Sequence, residues 1–75
     1  MSNEDLPRVG QKWRHYKHGT VYRIALLGML EPTGEPAVCY QAVIGDGRVW
    51  IRTLHDFMGT VVVDGREGPR FQKED

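Results

Sequence analysis

The sequence predicts a single small all-β domain. Short runs rich in Val, Ile and aromatic residues follow one another between Lys12 and Phe71, and Gly, Pro and Asp interrupt them at close intervals. No stretch keeps apolar residues at helical spacing for long enough to make a long helix. The chain has 75 residues, which leaves no room for two cores. A chain of this size buries only about 60% of the surface that its unfolded form exposes, so a deep catalytic cleft would compete with a thin core.

Each element follows from its residues. Lys12 to Tyr16 reads as a short first strand, and Val21 to Leu30 as a longer second one whose apolar excess suggests a strand bent around the core. Glu31-Pro-Thr-Gly-Glu-Pro36 is a turn-rich connection, because its prolines cannot donate to a central ladder. The third strand is Ala37 to Ile44, with Val38, Tyr40, Ala42 and Ile44 on one face at period two. Gly45-Asp46-Gly47 signals a hairpin, after which Arg48 to Arg52 returns antiparallel, Val49 and Ile51 on one face and Arg48, Trp50 and Arg52 on the other. Thr53 to Met58 reads as one helical turn capped by Thr53 or Asp56, tucking Leu54 and Phe57 inward. Thr60 to Val63 is the fifth strand; Asp64-Gly65 is the strongest two-residue hairpin signal, and Arg66 to Phe71 returns beside it. Five or six short antiparallel strands and one helical turn fit a small SH3-like barrel, in which closure removes exposed edges.

The boundaries expected are a flexible tail over 1–9, the barrel over 10–71 and a second flexible tail over 72–75, since both ends are polar and aperiodic. Ile24 to Leu30, the longest apolar stretch, is far shorter than the roughly 20 residues that span a bilayer. A cytoplasmic protein without membrane association is therefore expected. Cys39 is the single cysteine, so no internal disulfide forms, and its place between Val38 and Tyr40 reads as buried packing rather than a nucleophile.

Ten basic and ten acidic residues cancel, which argues against a dedicated non-specific DNA binder. Their placement is uneven: Leu6 to Leu30 holds no acid but contains Arg8, Lys12, Arg14, Lys17 and Arg23, with His15 and His18 beside them. A positive surface that attracts an anion is one outcome, and ordinary solvated charge is the other.

No enzyme constellation assembles from the spacing. His15, His18 and His55 lack the thiolates of a structural zinc site, so no metal is expected. Glu31 and Glu35 lie in a solvated loop that would not separate their pKa values for acid and base work. Gly45-Asp46-Gly47 lacks the spacing and the Lys-Ser/Thr ending of a phosphate loop. No cofactor is expected.

Trp13-Arg-His-Tyr-Lys17 followed by Tyr22, Tyr40, Gly45-Asp46, Trp50-Ile51-Arg52 and Phe57, then Asp64-Gly65-Arg66 with Pro69-Arg70-Phe71, resembles a small bacterial and phage domain-of-unknown-function family, number 1653. The likeness spans Gly10 to Phe71 and lies in the order of the motifs: a tyrosine-arginine-histidine-tyrosine-lysine opening, a glycine-aspartate turn, a tryptophan-valine-arginine strand and a closing proline-arginine-phenylalanine. It implies an SH3-like β-barrel and no established catalytic activity. Trp13 stands where the family has tyrosine, His18 interrupts its lysine-glycine step, and Thr53 replaces a proline. The family's histidine-serine-glutamate-threonine stretch is not recognisable around Met29 to Thr33, so no role resting on it carries over.

Aromatic residues interleaved with basic ones are the sharpest functional signal. Rings stack on bases and cations pair with phosphate, a combination that binds nucleotides and single strands. The expected function is a non-catalytic module for an anionic, ring-bearing ligand, either a nucleic-acid strand or a nucleotide. Arg14, Lys17, Arg23, Arg48 and Arg52 would pair with phosphate, while Trp13, Tyr16 and Trp50 would stack. The alternative is a protein-interaction module, an adaptor or a phage inhibitor of a host complex, in which the same residues anchor an interface. A small barrel also needs large rings as core, so Trp50, Tyr22, Tyr40, Phe57 and Phe71 have a packing use, with arginine stems covering the rim. Either a monomer or a homodimer fits.

Overall fold

The structure, a computed structural model, describes residues 6–74. Its elements are β1 (Lys12–His15), β2 (Val21–Met29), β3 (Pro36–Ala42), β4 (Val49–Thr53), α1 (Leu54–Phe57), β5 (Thr60–Val63), β6 (Arg66–Pro69) and β7 (Phe71–Glu74). Five strands form one antiparallel sheet in the order β4-β3-β2-β1-β7, and β5-β6 is a separate hairpin. The all-β class expected from the sequence is thus observed, with seven strands rather than five or six. No helix among the described residues is long and apolar enough to cross a membrane.

The extra strand comes from the last run. Arg66 to Phe71 divides at Arg70, with β6 pairing with β5 before it and β7 pairing with β1 after it. Pro69 ends β6 because it has no N–H to continue a ladder. The paired strands therefore do not stop at Phe71: Gln72, Lys73 and Glu74 pair with Arg14, Trp13 and Lys12. At the other end, Pro7 is buried beside Leu27, Val38 and Leu54. The remainder of the two expected tails, residues 1–5 and 75, lies outside the described residues.

Turns obey their residues. Asp64 and Gly65 both have positive φ, 53° and 79°, so the two-residue connection between Val63 and Arg66 has the twist that an antiparallel hairpin needs. The β3–β4 connection is longer than expected, running over 43–48, and it leaves Ile44 exposed instead of on the core face. Asp46 accepts there from the backbone N–H of Arg48 at 2.9 Å, and Gln41 donates to the carbonyl of Gly47. Thr53 caps α1, its hydroxyl accepting from the N–H of Asp56 at 3.1 Å.

The core is aromatic. Phe57 is fully buried and stacks on Phe71 with ring centroids 4.2 Å apart and planes 6° from parallel. Trp13 and Tyr40 meet Phe57 edge-on at 5.4 and 5.5 Å, and Tyr40 also meets Phe71 at 5.3 Å. Strands β3 and β7 are three positions apart in the sheet, so that last contact requires the sheet to curl around its own interior. A register shift between Ile24 and Leu26 bends β2, as its composition suggested.

Phe57→Ala should remove about 3–5 kcal/mol of stability through the cavity it leaves. Ile51→Ala, at a position 62% exposed, should change it by less than about 0.5 kcal/mol. Urea unfolding of the two variants measures both.

Candidate functional site

Pairing decides which face each expected site residue occupies. Trp13 and His15 alternate inward on β1, while Lys12 and Arg14 alternate outward. On β4, Trp50 stands opposite Tyr40 and Arg52 opposite Val38, so Trp50 and Arg52 share the concave side with two core residues. Trp50 and Arg52 therefore keep the grouping expected from the strand, while Arg48 lies just before β4.

The eight residues do not form one site. Trp13 is 4% exposed and packed against Phe57, so it belongs to the core and offers no stacking surface. Tyr16 is committed as well: its ring covers Gly68 so closely that a Cβ there would lie 3.0 Å from the ring. Arg14 is engaged on the outer face, its Nε and Nη2 donating to the Glu74 carboxylate at 3.2 and 2.9 Å and its Nη1 to the carbonyl of Gly19 at 2.9 Å. Arg23 lies on that outer face opposite Lys12 and Gln41, and Lys17 is exposed in the turn between β1 and β2. The β4 residues remain as a group.

They border a groove of about 370 Å³ lined by Leu30, Tyr40, Trp50, Ile51, Arg52, Thr53 and Asp56. Trp50 is 45% exposed, which leaves much of its ring accessible. The Arg48 guanidinium lies 5.5 Å from the ring centroid and also pairs with Asp46 at 3.4 Å, both in solvent. Arg52 Nε donates to the Tyr40 hydroxyl at 3.1 Å. Burial pushes the Tyr40 phenol above its ordinary pKa, against the opposing effect of Arg52. The groove thus combines an accessible ring, a cation and a carboxylate acceptor.

Sequence reasoning passed over Tyr40, Asp56 and Arg70 as site residues. Arg70 joins the region through its Nε, which donates to the Asp56 carbonyl at 2.9 Å. Cys39, expected in the core, is only half-buried and lies between Leu26 and Ile51 in the ladder on the outer face. Among the described residues, no group of three or more His, Cys, Asp or Glu is placed to hold a metal ion.

His15 is a second buried titratable group, on the inward side of β1. Its Nδ1 accepts from the N–H groups of Lys17 and His18 at 3.1 and 3.2 Å, an acceptor role that a proton on Nδ1 would end. Burial holds its pKa below the ordinary value, and the charges of His18, Arg52, Arg70 and Lys17 act in the same direction.

The model of a family described as protein of unknown function (DUF1653) matches residues 11–73, the family that the ordered motifs resemble. No curated protein and no solved structure matches the chain.

Because His15 has a lowered pKa in the folded state, the unfolded chain takes up this proton first, and stability falls as pH drops below the ordinary value of 6.5. Taking the protein from about pH 7 to about pH 5 should therefore lower its urea midpoint more than it lowers that of His15→Gln. Equal losses in the two proteins would remove His15 as the cause.

Proposed function

The chain belongs to this family of unknown function, and from the groove it carries we propose that it is a non-catalytic SH3-like barrel module that binds an anionic, ring-bearing ligand, a nucleotide or a nucleic-acid strand. One observation carries the reading: the half-exposed Trp50 ring stands at a groove that also contains Arg52 and Asp56. A base stacks on the indole, phosphate pairs with a guanidinium, and the carboxylate accepts from a base N–H or a sugar hydroxyl. The separation of Trp50 from the core's stacked rings supports this division of labour, since Phe57 and Phe71 hold the fold without it.

A second reading, a protein-interaction module, is favoured by a different surface. Leu26, Cys39 and Ile51 lie side by side across β2, β3 and β4 on the outward face, with Leu26 and Ile51 well exposed. Exposed neighbouring apolar side chains mark interfaces more often than solitary ones do.

Fluorescence titration with AMP and with a short oligothymidylate tests the first reading. Trp50→Ala should stay folded and lose binding of both, and strand affinity should fall about tenfold or more between about 50 and 200 mM salt. Binding that is independent of salt, or that survives Trp50→Ala, would overturn it. A lysate pull-down that retains one protein after nuclease treatment would favour the interaction reading instead.

A further inference from the structure

Two arginines near the groove are held in place without being neutralised. Arg52 Nε is fixed on the Tyr40 hydroxyl and Arg70 Nε on the Asp56 carbonyl, both uncharged oxygens. The ion pairs among the described residues, Arg14–Glu74 and Arg48–Asp46, involve neither of them. Asp56 is the one carboxylate among the groove-lining residues, and it makes no ion pair with either guanidinium. The Nη groups of Arg52 and Arg70 have no protein acceptor among the described residues.

Their backbones are anchored too. Arg70 donates its N–H to the carbonyl of Gly59 and accepts from the N–H of Tyr16, both at 2.8 Å, while Arg52 sits in the β3–β4 ladder opposite Val38. Arg52 lies on one edge strand of the sheet and Arg70 immediately before the other, and each donates to a residue that lines the groove, Tyr40 and Asp56 respectively. Both charges act on the same two groups, the His15 ring and the Tyr40 hydroxyl. Such positioning lowers the ordering cost of binding, and a guanidinium presents a planar fork of donors that matches phosphate oxygens.

We propose that Arg52 and Arg70, anchored on the groove residues Tyr40 and Asp56, form a seat for a phosphomonoester dianion, the phosphate end of the ligand whose ring lies on Trp50. Two uncompensated cations match the two charges of a monoester, whereas a backbone phosphodiester brings one. The seat rests on the groove reading above and narrows it from nucleotides and strands to a nucleotide with a terminal phosphate. Asp56 faces the remainder of the ligand as an acceptor.

Calorimetric titration with AMP, adenosine and a dinucleoside monophosphate tests this, beside an NMR titration of His15 with and without inorganic phosphate. AMP should bind at least tenfold more tightly than the other two, and Arg70→Gln should erase that advantage while Arg70→Lys keeps part of it. Saturating phosphate should move the His15 titration to higher pH in the wild-type protein, because the anion offsets the guanidinium charges; this readout stands even if Arg70→Gln does not fold. Equal binding of AMP and adenosine, with His15 unmoved by phosphate, overturns the seat and leaves the groove reading intact. Phosphate that moves His15 while adenosine and AMP leave Trp50 fluorescence unchanged supports the seat and overturns ring binding.

Discussion

The parallel stack of Phe57 on Phe71 joins the short helix α1, which follows the edge strand β4, to the opposite edge strand β7. With Tyr40 edge-on to both rings, the stack fills the space that a curled sheet encloses and holds the curl. The helix that delivers Phe57 also places Asp56 beside the groove, and the strand that delivers Phe71 follows directly from Arg70. Core and candidate site are therefore positioned by the same contact. A side-chain network across the groove needs no stabilising role of its own, because the rings already fix its two walls.

Charge is divided along the pleat. Lys12, Arg14 and Arg23 project outward from the sheet, where Glu74 engages one of them in solvent, and such exposed pairs contribute little. Arg52 lies on the concave side, partly shielded and bonded to a buried phenol. An uncompensated charge in that setting acts at longer effective range than one in open water. The neutral total charge of the chain conceals this division.

Much of the fold is legible in the sequence because its punctuation is local. Asp64-Gly65 specifies its own backbone, Thr53 caps the helix it precedes, and Pro32 and Gly34 mark the turn between β2 and β3, while Pro36 is tolerated as the first residue of β3. The division at Arg70 was available in Pro69, whose missing donor ends β6, but the continuous run to Phe71 conceals it. The site is less legible. On β1, the alternation of ring and cation is the signature of a strand with aromatic residues inside and basic ones outside, so Trp13 repeats the pattern of Trp50 without its exposure. Trp50 differs because β4 is an edge, which leaves one side of its ring uncovered. Tyr40 meets Arg52 across the β3–β4 hairpin, but Arg70 reaches Asp56 only through the tertiary fold, and no local pattern carries that information.

The register shift in β2 has a meaning for how chains of this kind tolerate changes of length. Tyr22 and Ile24 pair with Ala42 and Tyr40, and the next pair is Leu26 with Cys39, so Ala25 alone is counted without a partner. Removing this one residue would leave every other partner in β2 and β3 matched as before, whereas a deletion elsewhere in the strand would exchange inward and outward side chains. What would be lost is the local bend, and with it the curvature that brings the two sheet edges towards each other. Ala25 thus acts as a spacer whose presence matters more than its chemistry, and it is the position at which an insertion or deletion would redraw the groove while leaving the core's partners unchanged.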